Sequence, residues 1–268
     1  MFGTKLNYDS HFFVDGEEIS GVDSIEIGYQ NSANVTKPLG YHGGVVTVGG
    51  PTQQSLSVSR SLISNTPLES LLSGQRFTGS LNYEGASYGF NNGYITDASV
   101  NCAVGSVPQT NYNFVIYDEL KSGVDASGTQ TSAIYIPSQG SISVTCDNAS
   151  SNRVLGFDYR VEAPINPYYT IGSESPVEVK YVGPNTYTAA VQLEVDDFFP
   201  EDAYTFLTSG KNGRGGKFNE TSVILSVNGR DGTNIQSYPI PSPVLVSEQL
   251  NASADGSLRL TLNYIGHM

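Results

Sequence analysis

The sequence has no tryptophan, two cysteines in 268 residues, three histidines and 13 lysines plus arginines. Each shortage closes off a class of function. Two cysteines cannot make a disulfide framework. Cys102 and Cys146 each fall in an alternating apolar–polar segment, where buried free thiols are the expected state. His11, His42 and His267 are scattered, and no Cys or His pair has ligand spacing, so no metal site is expected. Against the 13 cations stand 26 carboxylates, for a net charge of −13 and a pI near 4.5. Affinity for a phosphate backbone needs clustered cations, so specific DNA or RNA binding is not expected. An acidic surface still matters beside nucleic acid, because it repels DNA and keeps it from adhering. No apolar run approaches the roughly 20 residues that span a bilayer, and Met1–Ser10 lacks the apolar stretch of a secretory leader. The sequons at Asn34, Asn148, Asn219 and Asn251 therefore carry little weight. No Gly-x-Ser-x-Gly elbow occurs, and the expectation is a chain with no catalytic residue and no cofactor.

What the chain does have is 17 tyrosines and 11 phenylalanines, enough aromatic mass for a folded core, with 29 glycines to punctuate it. Its strongest signal is period-two alternation. Gln54–Leu62 places Leu56, Val58 and Leu62 on one face, with Arg60 as the exception, and Ser55, Ser57, Ser59 and Ser61 on the other. Ser257–Tyr264 alternates in the same way. Further strands are expected over Asp23–Tyr29, Val45–Val48, Thr78–Tyr83, Ala98–Val104, Tyr112–Tyr117, Ala133–Ile136, Ser141–Cys146, Phe157–Glu162, Val177–Val182, Ala189–Val195, Ser222–Val227 and Pro243–Ser247. Asn92-Gly93, Asn228-Gly229 and Asp231-Gly232 read as hairpin turns. Two short helices are expected. Thr66-Pro67-Leu68-Glu69 is a capping box opening a helix that stops at Gly74, and a second runs from Pro200 to Gly210.

The order of these features repeats. Val22–Gly40 corresponds to Val154–Gly172 at a spacing of 132 residues, and Gly50-Pro51 corresponds to Gly183-Pro184. Val58 and Leu62 then match Val191 and Val195, Pro67 matches Pro200, Ser73-Gly74 matches Ser209-Gly210, and Leu81–Gly85 matches Leu225–Gly229. Such self-similarity predicts an internal duplication, with a first β domain over residues 1–140 and a second over 141–268. The stretch Lys121–Thr129 near the boundary is flexible in composition.

Two acidic groups, Asp15-Gly16-Glu17-Glu18 and Asp196-Asp197, lack calcium-loop spacing and are expected to serve structure. Gly210–Phe218 superficially resembles a phosphate-binding loop. It follows a helix instead of a strand, however, and has Phe218 where a magnesium-binding hydroxyl would stand. Its cations Lys211, Arg214 and Lys217 form the densest positive patch in the chain, read as a solvated loop or as a contact with a neighbour's negative surface.

The strand Ser55–Leu62 running into Thr66–Gly74, the segment Gly79–Tyr83 with Tyr88–Ile95, and Val104–Pro108 together resemble the tail-tube proteins of tailed bacteriophages. The resemblance implies an all-β chain of two tandem β-sandwich or barrel-like domains, each with one short flanking α-helix. It implies homotrimeric, pseudo-hexameric rings stacked into a tube that meets other tail proteins and passes DNA without specific binding, with no membrane partner. The protein would reside in the virion tail after synthesis in the host cytoplasm. Ser57, Ser59, Gln192 and Glu194 are then candidates for the lumen face, and Lys211, Arg214 and Lys217 for an inter-subunit contact. The competing readings are a distal-tail or baseplate hub ring, a β-sandwich module binding receptor or carbohydrate through tyrosines such as Tyr168-Tyr169, and a glycosidase using paired carboxylates.

Overall fold

Every regular element among the described residues is a β-strand. The computed structural model describes residues 11–19, 21–30, 33–36, 45–48, 53–62, 72, 74–83, 86–122, 136–138, 140–146, 149–171, 173, 175–195, 222–229, 231–252 and 258–268. The first half carries β1 (His11–Val14), β2 (Glu17–Glu18), β3 (Val22–Gln30), β4 (Ala33–Thr36), β5 (Val45–Val48), β6 (Gln53–Ser61), β7 (Phe77–Tyr83), β8 (Ala86–Ala103), β9 (Gln109–Ile116) and β10 (Lys121–Ser122). The second carries β11 (Ile142–Cys146), β12 (Ala149–Ser151), β13 (Val154–Glu162), β14 (Ile165–Tyr168), β15 (Glu178–Tyr181), β16 (Thr186–Val195), β17 (Ser222–Asn228), β18 (Asn234–Pro241), β19 (Val244–Ala252) and β20 (Leu258–His267).

The two halves use one pairing scheme. In the first, β3 pairs β6, β6 pairs β9 and β9 pairs β8, while β8 also pairs β7, β7 pairs β1 and β1 pairs β2. In the second, β13 pairs β16, β16 pairs β20 and β20 pairs β19, while β18 pairs β17, β17 pairs β11 and β11 pairs β12. The hairpin β4·β5 has its counterpart in β14·β15. Even the irregularities recur. The ladder β3·β6 slips between Val22 and Ser24, and β13·β16 slips between Val154 and Gly156. The ladder β8·β9 slips between Ile95 and Asp97, and β19·β20 slips between Leu245 and Ser247. Bulges fix strand direction and twist, so shared bulges mean shared backbone shape. The halves differ where β8 runs unbroken for 18 residues. Its counterpart splits into β18 and β19 at Ser242, held at φ 45° between Pro241 and Pro243. Proline removes the ladder donor and forces the break.

Aromatic side chains weld the layers. Phe114 of β9 meets Phe77 of β7 at 5.1 Å and Phe12 of β1 at 6.0 Å between ring centroids. Tyr238 of β18 meets Phe157 and Tyr159 of β13 at 5.6 and 5.2 Å. These rings are buried, with Leu56, Val58, Ile116, Val191, Leu225 and Leu262 around them. The halves then join directly: β13 pairs β8 from Gly156 opposite Ala103 to Glu162 opposite Asp97. One sheet of 12 strands therefore takes in strands of both halves, beside a four-stranded sheet β12-β11-β17-β18.

This architecture corrects the expected fold. The all-β class holds, but the barrel-like domains with flanking helices are not what the described residues form: among them no sheet closes on itself and there is no helix. The expected helix Pro200–Gly210 lies outside the described residues. So does most of Thr66–Gly74, of which Leu72 and Gly74 are in turns. The physical reason for the merged sheet is the edge of β8. Left open, it would expose unpaired backbone and the apolar side chains Ala98, Val100 and Cys102, and β13 satisfies all of these. Asn92-Gly93 is likewise not a turn and lies within β8. Gly93 is needed there because a Cβ would fall 2.6 Å from both the Phe77 and Phe90 rings, while Asp118 accepts hydrogen bonds from the Asn91 and Asn92 amides. The strand expected at Ala133–Ile136 lies outside the described residues except for Ile136, which is not in a strand.

Candidate functional site

Alternation gives the joined sheet two unlike faces. Along the path β3-β6-β9-β8-β13-β16-β20-β19, the inner side carries Leu56, Val58, Tyr112, Phe114, Val100, Phe157, Val191 and Leu262. The register places the alternate residues together on the other side. Glu26 lies opposite Ser57, Ser57 opposite Asn113, Asn113 opposite Asp97, Asp97 opposite Glu162 and Glu162 opposite Thr186. A neighbouring row runs Ser24, Ser59, Asn111, Ser99, Arg160 and Thr188. This polar face crosses the junction between the halves without interruption.

At its centre the face is hollowed into a trough of about 700 Å³ whose lining includes Asp97, Asn101, Asn113, Asp158, Arg160 and Asn263. Cross-strand hydrogen bonds order it. Asn113 Nδ2 donates to Asp97 Oδ1 at 2.9 Å, Asn101 Nδ2 donates to Asp158, and Asn263 Nδ2 donates to Ser247 Oγ at 2.8 Å. Arg160 sits between Asp97 and Glu162 at 3.4 and 3.2 Å. With Glu26, Asp158 and Glu194 on the same face, carboxylates outnumber the arginines Arg160 and Arg259 there. Such a surface stays hydrated and disfavours polyanions.

Of the residues singled out from the sequence, Ser57 and Ser59 are half-buried on this face. Gln192 and Glu194 share it, opposite Thr261 and Arg259. The fold puts these four on one surface but in separate rows, so they do not converge. Lys211, Arg214 and Lys217 lie outside the described residues, as do Asp196 and Asp197. Sequence reasoning missed Asp97, Asn101, Asn111, Asn113, Asp158 and Arg160 at the trough. Asn101, Asn113, Asp158 and Arg160 were polar alternates of expected strands, whereas Asp97 and Asn111 each stand one residue before one, and only the tertiary pairing gathers them.

The other candidate groups serve structure. Asp15 holds a turn, its Oδ1 accepting from the Thr78 amide at 2.8 Å and from the Thr78 hydroxyl at 3.0 Å. Glu18 pairs with His11 at 2.7 Å. Among the described residues no group of three or more His, Cys, Asp or Glu is placed to hold a metal ion. Tyr168 projects from the β14·β15 hairpin with the Lys180 ammonium 5.1 Å from its ring centroid, over one face of the ring. Cys102 and Cys146 are buried free thiols, and burial pushes the Cys102 thiol up to about 12. Arg60 is 1% exposed on the apolar side. Desolvation lowers its pKa, and the neighbouring Tyr112, Tyr238 and Asp23 oppose that shift.

On the inner side of the junction, Asn185 Nδ2 donates to the Leu72 carbonyl at 3.0 Å and its Oδ1 accepts from the Tyr181 hydroxyl at 2.8 Å, tying the second half to the first. Two of the strands that end the joined sheet are β3 and β19. Among the described residues, β3 pairs only with β6 and β19 only with β20. No protein-family model matches the chain, and no curated protein matches it.

Proposed function

We propose that this protein is a structural subunit of a virion tail tube. Copies close into a ring, three chains forming a pseudo-hexamer, and rings stack into a hollow shaft that conducts DNA without binding it. The observation that carries this reading is the single polar face running from β3 to β19 across both halves, backed by an apolar face. A lumen wall needs that surface: hydrated, continuous, and richer in carboxylates than in cations, so that a passing phosphate backbone finds no foothold. Ser57, Ser59, Gln192 and Glu194 would stand on that wall with the trough residues. The chain already joins two halves with one pairing scheme by strand pairing, and a contact repeated with a closing rotation generates a ring and covers the edges of β3 and β19. Other tail proteins would cap the shaft at its ends, and the assembled protein would reside in the virion.

Negative-stain electron microscopy of the purified protein tests this reading. Tubes with a central channel are the expected result, and single rings that never stack would favour a distal-tail or hub ring. A chain that stays monomeric at every concentration, and is absent from virus particles, rejects it.

A further inference from the structure

Among the described residues the strand junction between the halves is β8 against β13, and two of the open edges, β19 and β3, are the counterparts of those strands. The neighbours establish this. β19 lies on β20 as β8 lies on β9, with a bulge at the same place in each ladder. β3 lies on β6 as β13 lies on β16, again with a shared bulge. The open side of β19 is therefore the side on which β8 receives β13, and the open side of β3 is the side that β13 offers to β8.

We infer that β19 of one copy pairs antiparallel with β3 of a second copy, in the register that β8 and β13 take within the chain. This rests on the self-assembly proposed above and names its interface. The register sets Leu250 opposite Ile27, as Val100 lies opposite Tyr159, and Asn251 opposite Glu26, as Asn101 lies opposite Asp158. Glu248 then faces Tyr29, as Ala98 faces Val161.

The side chains agree with that placement. Val100 and Tyr159 are 4% and 7% exposed at the internal junction, whereas Leu250 and Ile27 are 55% and 39% exposed. Val161 is 1% exposed and its counterpart Tyr29 is 61% exposed. Pairing the edges would cover this apolar surface, the main favourable term in association. The polar pair is repeated as well. Asn101 donates its side-chain amide to Asp158, and Asn251 with Glu26 presents the same amide donor and carboxylate acceptor. Glu248 and Tyr29 add a carboxylate acceptor and a phenol donor. The contact joins unlike surfaces, head to tail, which is the kind that generates rings.

A charge-pair exchange in the full-length chain tests the register. Asn251→Glu sets like charges opposite each other at every contact, and the concentration needed for assembly should rise about fivefold or more. Adding Glu26→Lys to the same chain should restore assembly. Residues 26 and 251 stand at opposite ends of one sheet, so rescue has to act between copies. Both positions are exposed, and an unchanged thermal midpoint of the monomer confirms that folding is intact. If the wild type assembles and Asn251→Glu assembles equally well, or if Glu26→Lys gives no rescue, the register is wrong while self-assembly stands. If the wild type never assembles, both proposals fail together.

Discussion

Cys102 shows how burial alone sets the chemistry of a side chain. It lies opposite Phe157 at the junction of the halves, and desolvation raises its thiol from 9.0 to about 12. Tyr117, buried near Tyr94, is raised from 10.0 to about 12, mainly by burial as well. Thiolates are the reactive form, so Cys102 should resist iodoacetamide at pH 8 in the native protein and react once urea unfolds it. The linkage has a definite sign. Above about pH 9 the unfolded chain releases protons that the folded chain keeps until about 12. The urea midpoint should therefore be level up to pH 8.5 and fall steadily between 9 and 11. A midpoint that holds or rises across that window would contradict the burial of these groups. At this scale much was legible in the sequence: alternation placed Leu56 and Val58 inward, and placed Arg60 with them against its chemistry. What alternation could not supply is the company Arg60 keeps, since Tyr238 comes from a strand of the other half.

Among the elements, the junction strand β13 is the one on which the merged sheet depends, and Gly156 is its tightest point. A Cβ there would fall 2.8 Å from the Cys102 carbonyl oxygen and 3.1 Å from Ala103 Cβ. A main-chain carbonyl within a ladder cannot swing aside as a flexible side chain can. Gly156→Val should therefore cost about 1–3 kcal/mol. In hydrogen exchange, the loss of protection should concentrate in residues 97–103 and 156–162, with β1 and β7 spared. Uniform loss across the sheet would mean that the halves do not meet at a distinct seam. Long, cleanly alternating elements such as β6 and β20 were readable from the sequence. Of the short ones, β5 and β15 were readable, but their partners were not: β4 is Ala-Asn-Val-Thr and β14 is Ile-Asn-Pro-Tyr, both too brief and polar to alternate visibly. β18 carries Pro239 and Pro241, which argue locally against a strand that its pairing with β17 nonetheless secures. The misreading of Asn92-Gly93 has a different cause. Glycine opens space for a turn and for an overlying ring alike, and only the packing of Phe77 and Phe90 tells the two apart.

For the whole molecule the governing quantity is the net charge of −13. On the proposed strand pairing, copies brought together would repel one another through that charge. The local contacts expected at the edges, Leu250 with Ile27 and Asn251 with Glu26, contain no pair of opposite charges. Salt should therefore act mainly on the repulsion. Raising ionic strength from 0.01 M to 0.15 M shortens the Debye length from about 30 Å to about 8 Å, less than the width of one half of the joined sheet. Assembly followed by light scattering should consequently be faster, and reach completion at lower protein concentration, as sodium chloride rises over that range. A sulfate salt should help further, since excluded anions strengthen apolar burial such as that of Leu250 on Ile27. The opposite sign would be equally informative. If salt slows assembly, attraction between unlike charges dominates the encounter, and the contact made by Lys211, Arg214 and Lys217 on a neighbour's acidic surface outweighs the strand edges. Neutralising those three cations would then abolish the salt effect, whereas on the edge-pairing account it would leave the sign unchanged.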